Sequence, residues 1–261
     1  MSRKTALPIQ NMNESFEKKL TFLGLKLLSS EYTNVLNQAR KAKISYHRFL
    51  TNVIEREYEY KVEHKRLARL KTAKIPELLV METFPFNLQK RLKKKLIMEL
   101  YDSMRYMDDS QALLFLGPTG CGKTGLATAF LINAINLGYR GLFIDFNTLM
   151  RQLFQSIADH SEIKTIKRLV SIDCLLIDEV GYSTLNKEKS GLFFELIKLR
   201  HKKTCTIITS QHGFDEWDEF INDAHMSAAL IDRITENCTV FNMTNCISIR
   251  NKNILWAADK K

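Results

Sequence analysis

The sequence predicts an α/β protein in which a parallel β-sheet of five strands lies between helices and follows a small, all-helical region. From Gln111 onward, short apolar runs alternate with segments of helical periodicity, which is typical of a parallel sheet covered on both faces. Residues 14–74 contain no proline, and leucines such as Leu20, Leu23 and Leu27 recur there at helical spacing. We therefore expect two differently built parts.

The helical pattern ends at Pro76, because proline lacks the N–H that a continuing helix needs. We expect a basic helical domain over residues 1–75, a connector over residues 76–110 and the α/β domain over residues 111–261. Ser45 is expected to cap the start of the second long helix, since its hydroxyl can accept a hydrogen bond from a free backbone N–H.

The α/β part divides into alternating elements. We expect strands at residues 112–116, 141–146, 174–177, 206–209 and 239–242. We expect helices at residues 123–137, 148–157, 188–201 and 224–236. Ligands of such sheets bind beyond the carboxyl ends of the strands, so the functional residues should follow the strands.

The positive charge is concentrated in the first part of the chain. Residues 1–110 hold 22 Lys and Arg against 13 Asp and Glu, so they carry +9 of the net charge of +10. This distribution of charge indicates that the first part binds a polyanion, above all nucleic acid. The alternative is that lysine-rich helices merely aid solubility. The residues that we expect to contact DNA are Lys61, Lys65, Arg69, Lys93, Lys94 and Lys95.

The sequence argues against a membrane protein, a secreted protein and a disulfide-bonded protein. No apolar run approaches the roughly 20 residues that cross a bilayer, and no apolar signal core follows the start of the chain. The 5 cysteines are scattered without a C-x-x-C pair, which is typical of reduced, buried thiols. We expect a cytoplasmic protein that has no membrane contact.

A complete phosphate-binding motif, G-x-x-x-x-G-K-[ST], lies between the first predicted strand and helix of the α/β part. It consists of Gly117, Pro118, Thr119, Gly120, Cys121, Gly122, Lys123 and Thr124. The glycines let the loop wrap closely, so that backbone N–H groups and the helix N-terminus point at the phosphates. Lys123 is expected to reach the β- and γ-phosphates, and the Thr124 hydroxyl to be a ligand of Mg²⁺.

An acidic pair complements this loop. An apolar strand ends in Asp178 and Glu179, of which Asp178 can hold Mg²⁺ through water and Glu179 can polarise the attacking water. The guanine signature N/T-K-x-D is absent, which favours ATP. The next strand ends in Thr209, Ser210 and Gln211. Their side chains are expected to sense the γ-phosphate, with Gln211 best placed; a plain polar strand end is the alternative.

With its motifs in this order, the chain resembles the AAA+ ATPases of the initiator and helicase-loader group and, within that group, the IstB-type transposase helpers of insertion sequences. The similar stretches are GPTGCGKTGLATAF, LLIDEVGYSTLNKEKSGLFFELIKLRHKK, TSQHGFDEW and LIDRI. The resemblance covers residues 20–250, and the Asp-Glu-Val-Gly-Tyr run that begins at Asp178 is its most distinctive element.

This resemblance implies a protein that binds duplex DNA, assembles on it as an ATP-dependent homo-oligomer and stimulates the transposase of the same mobile element. It implies hydrolysis by Asp178 and Glu179 and an arginine finger, Arg233, that acts on the nucleotide of a neighbouring subunit. An intrachain pair with a surface carboxylate is the alternative for Arg233, and Arg200 is a second candidate for the finger.

Two alternatives to this function stay open. A helicase loader of the DnaC type would bind a helicase and prefer single strands, and a nucleotide-gated DNA scaffold would not need hydrolysis. The chain departs from many family members by carrying Gln211 in place of asparagine, so slower turnover or looser sensing of the nucleotide is expected. Because about 20 residues follow the last strand, we expect no C-terminal lid domain and a site that a neighbouring subunit completes.

Overall fold

The computed structural model of the protein describes residues 14–249 and divides into two compact units. One unit reaches to Ala68 and the other begins at Arg69, so the division precedes the boundary at 75 that the sequence suggested. The predicted connector therefore belongs to the second unit. The absence of a lid domain was predicted for the residues after the last strand, and those after 249 lie outside the described residues.

The first unit is helical, as predicted. Its helices are α1 (Glu14–Phe22), α2 (Lys26–Ala42) and α3 (Tyr46–Thr72), the last of which contains the division between the units. The Ser45 hydroxyl accepts a hydrogen bond from the Arg48 N–H at 3.3 Å, which is the N-cap that the sequence predicts. No helix within residues 14–249 has the length and apolar character needed to cross a membrane.

The second unit alternates strands and helices. After the end of α3 it contains a 3₁₀ turn at Met81–Thr83 and the helices α4 (Lys94–Ser103) and α5 (Arg105–Asp108). The strands are β1 (Ala112–Leu116), β2 (Gly141–Asp145), β3 (Cys174–Val180), β4 (Cys205–Ser210) and β5 (Cys238–Asn242). The helices between them are α6 (Lys123–Asn136), α7 (Phe146–Ala158), α8 (Glu162–Val170), α9 (Lys187–Arg200), α10 (Trp217–Ile221) and α11 (Ala224–Thr235).

All strand pairs of the sheet are parallel, and the strand order is β2-β3-β4-β1-β5. The predicted five-stranded parallel sheet is thus confirmed. Because β4 lies between β1 and β3, the segments that follow these three strands meet at one edge of the sheet. The phosphate-binding motif follows β1, the acidic pair lies in β3, and Gln211 follows β4.

Two buried apolar layers cover the sheet, one on each face. On one face, alternate residues of β1, Leu113 and Phe115, join the cluster that contains Phe130 of α6. On the other face, Leu114 and Leu116 join the cluster of α7, α8, α9 and α11. This alternation explains why the strands read as continuous apolar runs in the sequence.

Candidate active site

The loop after β1 has a backbone that requires glycine. Gly120 and Gly122 have φ angles of +81° and +97°, a left-handed conformation that side chains disfavour. A Cβ atom at Gly117 would lie 2.6 Å from the carbonyl carbon of Met243, so the neighbouring chain leaves no room for it. The loop therefore closes tightly into a cradle, residues 117–124, which leads directly into α6.

Lys123, the first residue of α6, is held inside the cradle. Its side chain is 8% exposed, and its Nζ donates hydrogen bonds to the carbonyl oxygens of Gly117 at 2.7 Å and Pro118 at 2.9 Å. A buried ammonium in a loop at a helix N-terminus makes a strongly electropositive pocket. The arrangement suits the phosphates of a nucleotide.

Thr124 and Asp178 form the second part of the site. The Thr124 hydroxyl donates to Asp178, with its Oγ1 3.0 Å from Oδ1 and 3.2 Å from Oδ2. Thr209 of β4 donates a further hydrogen bond to Oδ1 at 2.6 Å. Burial raises the pKa of Asp178 above its ordinary value, although the two hydroxyls and the charge of Lys123 oppose the shift.

These oxygens fit a magnesium ion that arrives with a nucleotide. Mg²⁺ in phosphoryl-transfer sites takes one or two carboxylates together with phosphate oxygens and water, which matches a threonine hydroxyl beside one aspartate. Within residues 14–249, no cluster of three or more His, Cys, Asp or Glu side chains forms a metal site by itself. Thr124 and Asp178 would hold the ion.

Glu179 lies in a β-bulge that the sequence did not reveal. Ile177 pairs with Ile208 and Val180 pairs with Ser210, so β3 has two residues, Asp178 and Glu179, where β4 has one. Glu179 has a φ angle of +60°, a conformation that costs a non-glycine residue about 1–3 kcal/mol. Strain of this kind is found at functional positions that the surrounding structure holds in place. The residue is exposed and lines the same cavity as the cradle.

Gln211 lies beside the cradle, as the strand order predicts. Its Oε1 accepts a hydrogen bond from the Thr119 hydroxyl at 2.9 Å, and both residues line the cavity. The amide of Gln211 is therefore adjacent to the loop that would carry the phosphates. Its role as a sensor of the γ-phosphate stays a prediction.

The cavity at this site has a volume of about 700 Å³ and an apolar wall that the sequence reading missed. The connector and the segment after β5 supply this wall through Leu79, Val80, Phe84, Pro85 and Ile249. An apolar surface next to a phosphate cradle suits the base of a nucleotide. Nothing local in the run Phe84-Pro85-Phe86 shows that it reaches the cradle.

Gln89 connects this wall to the cradle through hydrogen bonds, and nothing in the sequence indicated this role. Its amide is 1% exposed; its Nε2 donates to the carbonyl oxygens of Cys121 at 3.0 Å and Ile247 at 2.7 Å. Its Oε1 accepts from the Ile247 N–H at 3.1 Å. Ile249 adds a backbone hydrogen bond to Gly120 at 2.9 Å. The segment after β5 is thereby attached to the phosphate loop.

Arg233 lies far from the cradle of its own chain. It lines a small cleft with Ala112 and Thr206, which are at the amino-terminal edge of the sheet. Five residues of β1, about 16 Å at strand spacing, separate that edge from Gly117. The guanidinium stacks on Phe194 at 4.7 Å, and no carboxylate within residues 14–249 forms an ion pair with it.

The structure argues against Arg200, the second candidate for the arginine finger. Its side chain is 1% exposed, and its guanidinium donates to the carbonyl oxygens of Leu169 at 2.7 Å and Ile172 at 2.8 Å and to the Thr206 hydroxyl at 3.0 Å. Burial lowers its pKa to about 10. A buried arginine with these partners joins α8, α9 and β4 and is not available to a neighbouring subunit.

The basic residues predicted to contact DNA differ in exposure. Lys65, Lys93, Lys94 and Lys95 are exposed, whereas Lys61 and Arg69 are half-buried. Lys94 lies 5.4 Å from the centre of the Phe86 ring, which orients its stem along the connector. The four exposed lysines are accessible to a partner, and the contact of all six residues with DNA stays a prediction.

The sheet order, the glycine cradle and the acidic pair of β3 define an AAA+ P-loop fold. Among solved structures, DnaA from Aquifex aeolicus bound to AMPPCP is similar with a TM-score of 0.54 and 17% identity, over 72% of this chain and 56% of that one. DnaI is similar with a TM-score of 0.50 and 16% identity, over 57% and 84% of the two chains.

The chain belongs to the family described as IstB-like ATP binding protein, whose profile matches residues 18–257. A Pseudomonas aeruginosa protein named for ATP binding and insertion sequence IS21 is 31% identical over 87% of this chain and 85% of its own. A Geobacillus stearothermophilus protein named for ATP binding and insertion sequence IS5376 is 30% identical over 89% and 92%. The resemblance stated from the sequence is confirmed.

Proposed function

We propose that this protein is an ATP-hydrolysing helper of DNA transposition that assembles on duplex DNA and stimulates the transposase of its own mobile element. The observation that carries this proposal is the meeting of Lys123, Asp178 and Glu179 around one cavity, in a chain of the IstB-like family. Nucleotide binding alone would not require the third of these residues, because Glu179 contributes nothing to the cradle.

The chemistry follows from the positions of the side chains. Lys123 would bind the β- and γ-phosphates, and Thr124 and Asp178 would hold Mg²⁺, which would neutralise charge on the transferred phosphoryl group. Glu179 orients the attacking water and accepts its proton. Gln211, which accepts a hydrogen bond from Thr119, would contact the γ-phosphate from the β4 side. The apolar wall around Phe84 receives the adenine.

The position of Arg233 supports hydrolysis between subunits. A guanidinium at the amino-terminal edge of the sheet is too far from its own cradle to contact the γ-phosphate. A neighbouring subunit that presents this edge to the cavity would bring the two together, and the cation would stabilise charge that develops during transfer. Hydrolysis then depends on assembly.

The exposed lysines support an interaction with duplex DNA through its phosphates. Lys93, Lys94 and Lys95 are consecutive and exposed, so they can follow a phosphate backbone without reading its sequence. Two relatives are named for the insertion sequences IS21 and IS5376, which supports a role of this protein in transposition. A transposase is therefore the partner that we propose.

The test is electron microscopy of the purified protein with Mg²⁺ and a slowly hydrolysed ATP analogue, with duplex or single-stranded DNA. We expect ordered assemblies on duplex DNA that require the analogue, with Arg233 of one subunit at the cavity of the next. ATP hydrolysis and stimulation of a transposase from the same mobile element are measured in parallel. Preference for single strands and binding of a replicative helicase would instead identify a helicase loader.

A further inference from the structure

Thr209 is a buried threonine that faces the bulge of β3. Its side chain is 0% exposed, and it is the single β4 residue opposite Asp178 and Glu179. Its hydroxyl donates a hydrogen bond to Oδ1 of Asp178 at 2.6 Å and accepts one from the Glu179 N–H at 2.9 Å. One oxygen atom therefore contacts both acidic residues of the site.

The second of these hydrogen bonds compensates for the bulge. An extra residue in one strand disrupts the ladder locally, so the Glu179 N–H has no regular partner across the sheet. The Glu179 side chain is exposed, but its backbone N–H faces the fully buried Thr209 and needs an acceptor, which the Thr209 hydroxyl supplies. The same contact holds Glu179 in its left-handed conformation, with a φ angle of +60°.

The other polar residues at the end of β4 have different partners. The Ser210 hydroxyl donates to the Val180 carbonyl at 2.8 Å, after the bulge, and Gln211 accepts from Thr119 of the cradle. Among the described residues, Gln211 lines the cavity and Thr209 does not. The three polar residues at the end of β4, which the sequence suggested as one sensor, therefore contact three different parts of the site.

We propose that Thr209 is a positioning residue that fixes the direction of the Glu179 carboxylate relative to Asp178, and so controls turnover without contacting the nucleotide. This inference rests on the proposed ATP hydrolysis. A misplacement of about 1 Å can reduce a rate by about 100-fold, so the loss of one hydroxyl in this place should be visible in kcat.

The experiment compares Thr209→Val, which keeps the shape and removes the hydroxyl, with Thr209→Ser, which keeps the hydroxyl. We expect Thr209→Val to lower kcat for ATP hydrolysis about 100-fold while KM for ATP changes by less than about threefold. Thr209→Ser should stay within about fivefold of the wild-type kcat, because both hydrogen bonds can still form.

A matched control is Thr206→Val, the same substitution on the same strand. The Thr206 hydroxyl accepts from Arg200 at the opposite edge of the sheet, so this variant should lose stability and keep its kcat. Tm and binding of a fluorescent ATP analogue are measured for each variant to establish that it is folded.

Several outcomes would overturn the inference. A wild-type kcat in Thr209→Val, equal losses in the valine and serine variants, or a similar loss of kcat in Thr206→Val would each show that the hydroxyl does not position Glu179. In these cases the proposed hydrolysis would stand, because the wild-type protein is active. A wild-type protein that binds ATP with Mg²⁺ and never hydrolyses it, with or without DNA, would overturn the proposed function and this inference with it.

Discussion

The Thr124 hydroxyl lies 3.0 Å from Oδ1 of Asp178, although 54 residues separate them in the chain. Thr124 belongs to the first turn of α6 and Asp178 to β3, and each lies in a motif that gives no local sign of the other. Their contact unites the two sequence motifs in one site. It also places the two predicted magnesium ligands where one ion can reach both oxygens.

Replacement of Lys123 by alanine should strongly weaken nucleotide binding. Its ammonium supplies charge-assisted hydrogen bonds of about 1.5–3 kcal/mol each, so the loss of two weakens the affinity for ATP by about 100-fold or more. Fluorescence titration with an ATP analogue and Mg²⁺ measures the change. Lys198→Ala, at an exposed position of α9, is the matched control and should bind as the wild type does. Equal affinities in the two variants would contradict the assignment.

Glu179→Gln should bind ATP normally and fail to hydrolyse it. General-base catalysis contributes about 10²–10⁴-fold, so phosphate release should fall by a factor in this range. Complexes with DNA should last longer, since the triphosphate state persists; surface plasmon resonance measures their lifetime. Glu188→Gln, an exposed carboxylate in the first turn of α9, is the control. Normal phosphate release from Glu179→Gln would contradict its role as the base, whereas lost release with an unchanged lifetime of the DNA complexes would favour a scaffold that does not need hydrolysis.

Arg233→Ala should bind ATP as the wild type does and lose the hydrolysis that depends on assembly. The decisive measurement is a mixture of Arg233→Ala with Glu179→Gln. Each variant alone is inactive, but a subunit with an intact Glu179 next to a subunit with an intact Arg233 forms a complete site. We expect the mixture to recover part of the wild-type rate, and Arg151→Ala, an exposed control on α7, to be fully active. An inactive mixture would exclude action between subunits.

Asp178→Asn should stabilise the protein in the absence of magnesium. Burial raises the pKa of Asp178 above 3.8, so the folded state binds a proton more tightly than the unfolded state. Stability then falls as the pH rises from 3.8 through the raised pKa, and the loss is complete above it. Asparagine carries no charge, so we expect Tm at pH 8 in EDTA to increase by about 2–4 °C and the difference to shrink towards acid pH.

Asp145, which pairs with Asp178 across β2 and β3, is the control, because its pKa is shifted in the opposite direction. Burial alone would raise the pKa of Asp145, but hydrogen bonds from Thr148 outweigh it and lower the pKa. Its charged form therefore contributes stability above 3.8 that is lost as the pH falls. Asp145→Asn should lower Tm at pH 8. A change of the same sign in both variants would show that charge burial is not the cause.

Replacement of Lys93, Lys94 and Lys95 by glutamine should weaken duplex DNA binding similarly for all sequences. Each phosphate contact contributes about 1 to the slope of log affinity against log salt, so the slope should become shallower by about 3. Fluorescence anisotropy over a salt series measures it. Substitution of Lys198, Lys202 and Lys203 by glutamine, near the end of α9, is the control. An unchanged slope in the first variant would move the DNA surface to another part of the chain.

Local patterns in the sequence were sufficient for most of the fold. The apolar run before Gly117, the glycine loop and the helix after it predict β1, the cradle and α6, because each signal lies within about 20 residues. The helix α8 was not predicted, although Ile163, Ile166 and Leu169 follow helical spacing, because the segment is short and rich in charge. The bounds of β1 were predicted correctly, and the other elements differed by at most three residues at either end, since strand ends depend on partners elsewhere in the chain.

The sequence by itself determined the class of fold, the phosphate cradle and the acidic pair, because those motifs are contiguous and their chemistry requires particular residue types. Tertiary structure decided which distant groups complete the site. The bulge at Glu179, the two contacts of Thr209, the apolar wall beside Phe84 and the burial of Arg200 all arise from pairing between strands or docking of separate segments. No local pattern encodes such contacts, because each depends on the register in which remote residues meet.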